Sequence, residues 1–537
     1  MSYLAPSTSP PLESTEQINQ GEMSGESRQQ RCASFSCYAH WFVSKHGPRG
    51  ISPHTVSIHI LDDDSLLNIF YLYRPFLFGE DITNATVTGG DGGWGRGRWW
   101  YKPAHICQRW RNIILGSSSY LDLSLVCTKG TPVADMLAHS PPLPLTIDYS
   151  PEYDEIATAD EERAILALKQ HGRVRRVRLG MPVTSLRKLV MIMDEEYPIL
   201  ETLIVIPWLM DDMTILMFPE TLLAPHLRHL SLVKFSHPIG SQLLTTAVGL
   251  VSLSLFMTDP TTYFPPNTLL RWLSFMPQLE RLVINFFFAV PSRDVERQLS
   301  RVPVMTHVTL SNLSSLAIHG VSAYLEAVVS RITTPRLEEL QVSFTNQLTF
   351  SVPGLLQFMS TLENLRFDSA KFKFSNMRVD AEVYPRGEDE IRSLFISVLC
   401  LHLDWQVSSV AQIFNLPSQM FSAVEHLALE HEVHDLSSEE HNDVDRIEWL
   451  RLLTSFGKVK TLCVAHALVQ GLSQCLQSED GELSSELLPE LQEITYSGRG
   501  DTGDAFTSFI DVRQNAGRPI TLVRRSPSPD PSPPDAV

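Results

Sequence analysis

Basic residues are scarce in this chain. Lys and Arg number 43 against 61 Asp and Glu, a formal net charge of −18. Binding along a nucleic-acid backbone needs clustered Lys and Arg, so no nucleic-acid partner is expected. Cysteine is sparse as well. The seven (32, 37, 107, 127, 400, 463 and 475) are odd in number and irregularly spaced, which argues against a disulfide framework. No apolar run reaches about 18 residues, so no membrane span and no membrane partner are expected. The first stretch, MSYLAPSTSPPLESTEQINQ, lacks the charged start and apolar core of a secretory leader. The expected location is therefore the reducing interior of a cell, cytoplasmic and/or nuclear.

Catalytic signatures are missing too. No Gly-x-Ser-x-Gly elbow occurs. GGDGGWGRGRWW (Gly89 to Trp100) has neither the preceding strand nor the following helix start and Lys-Ser/Thr of a phosphate loop, so it reads as a flexible insertion. CASFSCYAH offers Cys32, Cys37 and His40, with His46 beyond, but lacks the second half of a zinc site. In HEVHD (His431 to Asp435) the second His comes at i+3 rather than i+4, which spoils the metalloprotease geometry. No metal, no cofactor and no catalytic residue is expected, and the chain is not expected to be an enzyme.

Apolar residues make up 43% of the 537 residues. A chain this long outgrows a single hydrophobic core and needs several domains or repeats. A repeat is visible. The pattern apolar-x-x-apolar-x-apolar recurs twelve times, in copies that begin 23 to 35 residues apart. The clearest copies are LRHLSL at Leu227, LVSLSL at Leu250, LERLVI at Leu279, LSSLAI at Leu313, LEELQV at Leu337 and LENLRF at Leu362. Looser copies begin at Val174, Leu200, Ile396, Val424, Val459 and Leu491. The spacing lies around and above the roughly 20–29 residue leucine-rich-repeat period. Side chains alternate along a strand, so the fourth and sixth positions point to one face and their neighbours to the other. Stacked in parallel, such strands bury a continuous ladder. The connections at 321–332 and 446–456 show helical spacing. The ninth repeat position holds Phe235, Phe287 and Thr345 rather than Asn or Cys, so irregular curvature is expected. The expected fold is α/β: an irregular leucine-rich-repeat solenoid, with parallel strands joined by helices or loops, over 126–520. A Pro/Ser-rich tail follows at 521–537, and residues 1–50 are expected to be mostly disordered.

Ahead of the repeats lies ILDDDSLLNIFYLY (Ile60 to Tyr73), with Leu66, Ile69, Phe70 and Tyr73 on one helical face. Then, after the Gly-rich insertion at about 75–100, comes AHICQRWRNIILGSSSYLDLSL. Here Ile106, Trp110 and Ile113 share a face, and Gly116 is placed to cap the helix. These two segments resemble the F-box family. The family opens Leu-Pro-x-x-x-Leu-Leu-x-Ile-Phe; this chain has Leu61, Asp62, Leu66, Leu67, Ile69 and Phe70. The family continues Val-Cys-x-x-Trp-Arg; this chain has Ile106, Cys107, Trp110 and Arg111. It departs by Asp62 in place of Pro and by the longer insertion.

The resemblance covers about seventy residues, within a helical domain at 55–125. With the repeats behind it, the whole looks similar to the large F-box-like families of mushroom-forming fungi. It implies a substrate-recruiting adaptor of a cullin-based ubiquitin ligase. Leu61, Leu66, Leu67, Ile69, Phe70, Ile106 and Trp110 would meet the Skp-type adaptor of the ligase core. A scaffold with no ligase link is the alternative. A protein substrate would lie on the strand face opposite the ladder. That face is expected to grade from Arg176, Arg178, His229 and Arg281 to Glu339, Asp368, Glu430 and Glu493, with Arg366 an exception.

Overall fold

The computed structural model describes residues 61–74, 98–149, 158–208, 215–236, 242–257, 263–286, 307–345, 347–362, 367–385, 393–415, 421–432, 446–476, 487–497 and 505–525. The chain divides into two units, 1–68 and 69–537, with the cut falling inside the helix Asp63–Tyr73. In the first unit, Asp62 starts that helix. Its Oδ1 accepts from the Ser65 N–H at 2.6 Å, and its carbonyl accepts from Leu66. An Asp here satisfies an orphan N–H and sets negative charge at the helix start. Asp62 thus has a capping role of its own.

The second unit is built on alternation. Sixteen strands form one mostly parallel sheet. They are β1 (Leu125–Cys127), β2 (Leu145–Tyr149), β3 (Val174–Met181), β4 (Thr202–Pro207), β5 (His229–Val233), β6 (Ser252–Phe256), β7 (Arg281–Asn285) and β8 (Ser315–Gly320). The rest are β9 (Glu339–Phe344), β10 (Ser369–Phe374), β11 (Arg378–Tyr384), β12 (Leu394–Leu399), β13 (His426–His431), β14 (Thr461–Ala465), β15 (Glu493–Ser497) and β16 (Thr521–Arg525). The spatial order follows the chain except at β9-β12-β11-β10-β13, where β11 runs antiparallel to both neighbours. The sheet is open, with β1 and β16 at its edges. Helices connect most consecutive strands, as at Val183–Ile192, Pro266–Leu273, Ser322–Val329 and His466–Leu476.

Ten of the twelve repeat copies fall on strands in the frame read from sequence. Their fourth and sixth residues, such as Leu253 and Leu255 or Leu282 and Ile284, are fully buried and sit opposite one another in register. Each such side chain removed from water contributes roughly 1.5–3 kcal/mol. Two copies fall elsewhere. At 396 the register sets Leu394 and Ile396 against Leu340 and Val342, so the ladder lies five residues earlier than the copy read from sequence. Leu401, expected on the ladder, is 63% exposed. At 362 most of the copy lies outside the described residues, and the strand formed nearby is β10, with Ala370 and Phe372 opposite Leu427 and Leu429.

Other boundaries shift as well. β16 occupies the start of the segment read as a tail. The helices Tyr101–Ala104 and Gln108–Gly116 fall in the same unit as the sheet. The reason is hydrogen bonding to the edge strand and its approach: Trp100 Nε1 donates to the Ser124 carbonyl at 3.2 Å, and Arg98 Nη2 to that of Val126 at 3.2 Å. Gly116 is the last helical residue and not a left-handed cap; Ser117 follows it as C-cap at φ −109°. At the ninth repeat position Phe235 and Thr345 are both buried. Burial pushes the thiols of Cys127 and Cys475 up to about 12 and that of Cys400 up to about 11, so these act as small apolar groups.

Candidate functional site

The sheet face opposite the ladder is set by register. Arg176, Thr202, His229, Ser252, Arg281, Ser315 and Glu339 align in one row across seven strands. Ser369, His426, Thr461 and Glu493 make the corresponding row beyond the antiparallel insertion. Arg178 aligns with Ile204 and Ser231 in the next row. Alternation therefore brings Arg176, Arg178, His229, Arg281, Glu339 and Glu493 to one face, as their sequence positions imply. Glu430 joins them, opposite Lys373. Asp368 does not: it precedes β10, out of step with the face, and its carbonyl accepts from Glu425 and His426. Arg366 lies outside the described residues.

The expected charge grade is softened at both ends. In the early strands Arg176 is not alone: Asp122 approaches its Nη2 at 3.4 Å, pairs with Arg175, and lies 3.6 Å from Arg74. Arg175 also holds Glu201 at 2.8 Å. In the later strands the hairpin β10–β11 adds two cations that sequence reasoning did not place on the face. Lys371 pairs with Glu430 at 2.8 Å, and Lys373 lies 3.6 Å from Glu382. Burial pulls Lys371 down, but the Glu430 carboxylate outweighs it and holds the amine above its ordinary value. Asp380 is buried and accepts from Ser397 Oγ at 2.6 Å. The signal for this hairpin was present in SAKFKFSNMRVDAEVY, which alternates apolar and charged residues on either side of a short turn.

Asp122 has a backbone φ of 52°, a left-handed conformation that Asn tolerates as well as Asp. Asp122→Asn therefore removes the charge without adding backbone strain. It should lower stability by about 1–2 kcal/mol, because the pairs are only partly exposed and one side is left with uncompensated arginines. Urea denaturation of the two proteins checks this.

His319, on β8, faces the same side as Asn285 and Ser343 in neighbouring strands. Burial pushes its imidazole down to about 4. An unfolded His takes its proton near 6.5. The unfolded chain thus binds the proton more readily between these values, and stability is lost as pH falls from about 6.5 toward 4. His319→Gln should flatten this dependence. Near pH 4.5 the difference should be about 2 kcal/mol relative to pH 7, measured as urea midpoints of both proteins at the two pH values.

In the helical segments the seven expected adaptor contacts separate by burial. Leu66 and Phe70 are interior, at 0 and 2% exposure, and Trp110 is buried. The Phe70 and Trp110 rings meet edge-on at 5.0 Å. Phe70 and Trp110 thus pack against each other within the second unit. Ile69 and Ile106 are exposed, at 39 and 62%, and so are Leu72 and Tyr73. Leu61 and Leu67 are half-buried. Ile106 precedes its helix, whose N-cap is Cys107, with Sγ accepting from the Trp110 N–H at 3.5 Å.

Among the described residues no group of three His, Cys, Asp or Glu could hold a metal ion, and no helix is long and apolar enough to cross a membrane. Cys32, Cys37, His40, His46 and most of His431–Asp435 lie outside the described residues. Neither the family models nor the curated proteins include a match to this chain.

Proposed function

We propose that this chain is a non-catalytic, intracellular adaptor of a cullin-based ubiquitin ligase. In this reading the helical segments form an F-box that docks on the Skp-type adaptor. The sheet and its helices form an irregular leucine-rich-repeat solenoid that holds a protein substrate. The observation that carries the substrate half is the register-aligned open face. Seven consecutive strands present Arg176, Thr202, His229, Ser252, Arg281, Ser315 and Glu339 in a single row. A stable protein interface needs about 800 Å² from each partner, and a long, rigid strand surface with mixed charge suits that use. The chemistry would belong to the ligase. Held beside a ubiquitin-charged enzyme, a substrate Lys reacts at high effective concentration. The docking half rests on the F-box resemblance and on the exposed apolar side chains Ile69, Leu72, Tyr73 and Ile106.

A second reading has its own observation. Arg98 and Trp100 bond the carbonyls of Val126 and Ser124, so the helices at 101–116 protect an exposed sheet edge. An open edge invites aggregation, and a scaffold with no ligase partner needs such a cover equally. Purified full-length chain titrated with a Skp-type adaptor separates the two. Saturable binding at micromolar concentration supports the ligase adaptor; its absence leaves the scaffold.

A further inference from the structure

Three large apolar side chains stand exposed at one place in the second half of the sheet. Met377, Leu401 and Trp405 are 60, 63 and 43% exposed. The fold gathers them from three segments. Met377 lies in the turn of the hairpin β10–β11, Leu401 follows β12, and Trp405 is in the first turn of the helix Leu403–Phe414. The Cys400 N–H donates to the Met377 carbonyl at 3.0 Å, which sets the turn beside the end of β12. Large apolar side chains gathered in the open mark an interaction surface.

The surface is held from beneath. Gln406 is only 1% exposed. Its Nε2 donates to the Ser375 carbonyl at 2.7 Å and to that of Cys400 at 2.9 Å, so one side chain ties the hairpin turn to the helix start. Within the turn the Ser375 N–H donates to the Arg378 carbonyl at 2.9 Å, and the Arg378 N–H to Ser375 Oγ at 3.3 Å. The His402 ring meets Trp405 edge-on at 4.5 Å and steadies the indole. A surface already ordered loses little conformational entropy when a partner docks.

Charge selects the kind of partner. Asp404 adjoins Trp405, and its Oδ1 is buried without a hydrogen-bond partner among the described residues. Glu432 is exposed, and its N–H donates to the Phe374 carbonyl at 2.9 Å, at the base of the same turn. Arg378, which closes the turn, pairs with Asp380 at 2.9 Å. An exposed indole attracts a cation over its face, Arg more often than Lys. The carboxylates of Asp404 and Glu432 favour the same charge, as does the chain's net −18. Met377 and Leu401 supply apolar cover for the stem of that cation and for its neighbours.

We propose that this surface docks a segment of a partner protein centred on an Arg with bulky apolar residues beside it. The guanidinium lies over Trp405 near Asp404, and the apolar side chains lie on Met377 and Leu401. The surface is separate from the row of residues on the strand face and requires no ligase partner.

The test is calorimetric titration of the full chain at low salt with the peptide Gly-Ser-Leu-Arg-Leu-Ser-Gly, capped at both ends. It should bind saturably with Kd on the order of 100 μM or tighter. The same peptide with Glu in place of Arg should bind at least about tenfold more weakly. Trp405→Ala and Leu401→Ser should each weaken binding by about tenfold, while Val248→Ser, at an exposed apolar position elsewhere, should not. Thermal unfolding of each variant shows whether the fold has survived, and Leu401→Ser, outside the helix, serves if Trp405→Ala disturbs it. No saturable binding at about tenfold above that concentration overturns the proposal. Equal affinity for the Glu peptide overturns the basic partner, and binding untouched by both variants overturns the site. Sedimentation of the chain alone tests a second copy as occupant: a dimer that Trp405→Ala dissociates would assign the surface to self-association and overturn the proposal.

Discussion

Ile69→Asp combined with Ile106→Asp is expected to weaken binding of a Skp-type adaptor by about 100-fold while leaving the fold unchanged. Both side chains are exposed, so the free protein buries neither. Substituting exposed residues away from caps and cores typically changes stability by less than about 0.5 kcal/mol. At an interface the balance differs. A desolvated apolar anchor commonly contributes more than about 1 kcal/mol, and a buried unpaired carboxylate adds a further cost. Two such losses compound to about 100-fold in Kd. The measurement is an adaptor titration of wild-type and variant protein, with thermal unfolding in parallel. Unchanged affinity in a folded variant would exclude these side chains from the docking surface.

Trp110→Ala is expected to act in the opposite way, through the fold. Trp110 is buried and meets Phe70 edge-on at 5.0 Å, and the Ile114 side chain one turn on is fully buried. Removing a buried Trp typically costs about 3–5 kcal/mol, part of it for the cavity left behind. The helix Gln108–Gly116 has only nine residues, too few to persist without tertiary packing. The helical segment should therefore melt early, which denaturant titration and tryptophan fluorescence would register. Trp110→Phe should be far milder, within roughly 1 kcal/mol. It keeps an aromatic partner for Phe70 and removes an indole N–H that is buried without a hydrogen-bond partner. If alanine and phenylalanine behave alike, the ring pair does not hold these helices together.

Much of the architecture was legible locally. Alternation along a strand is a short-range rule, so copies such as LERLVI at Leu279 mark both the strand and its buried face without knowledge of neighbours. The same rule put Arg176, His229, Arg281 and Glu339 in one row, because parallel strands in step keep equivalent residues level. The copies at 362 and 396 misled for the converse reason. There the sheet accepts the inserted hairpin β10–β11, and the frame of β12 is set by its pairing with β9 and β11. Pairing between strands is a non-local choice, and apolar-x-x-apolar-x-apolar has more than one way to be satisfied in an apolar run.

The helical segments divide along the same line. The 3.6-residue period of Ile60 to Tyr73 fixed which side chains share a stripe. It did not fix whether that stripe turns toward the protein's own core or toward a partner. Folding buried Leu66 and Phe70 and left Ile69 outside. The ion pairs belong to the tertiary structure as well. Asp122 meets Arg175 and Arg176 across more than fifty residues of chain, and Lys371 meets Glu430 across a strand boundary. Composition and order determined the strands, their buried ladder and the polarity of the opposite face, since these follow from backbone geometry repeated every two residues. Which charges are neutralised depended on separations in space, where the Coulomb energy of a pair is decided.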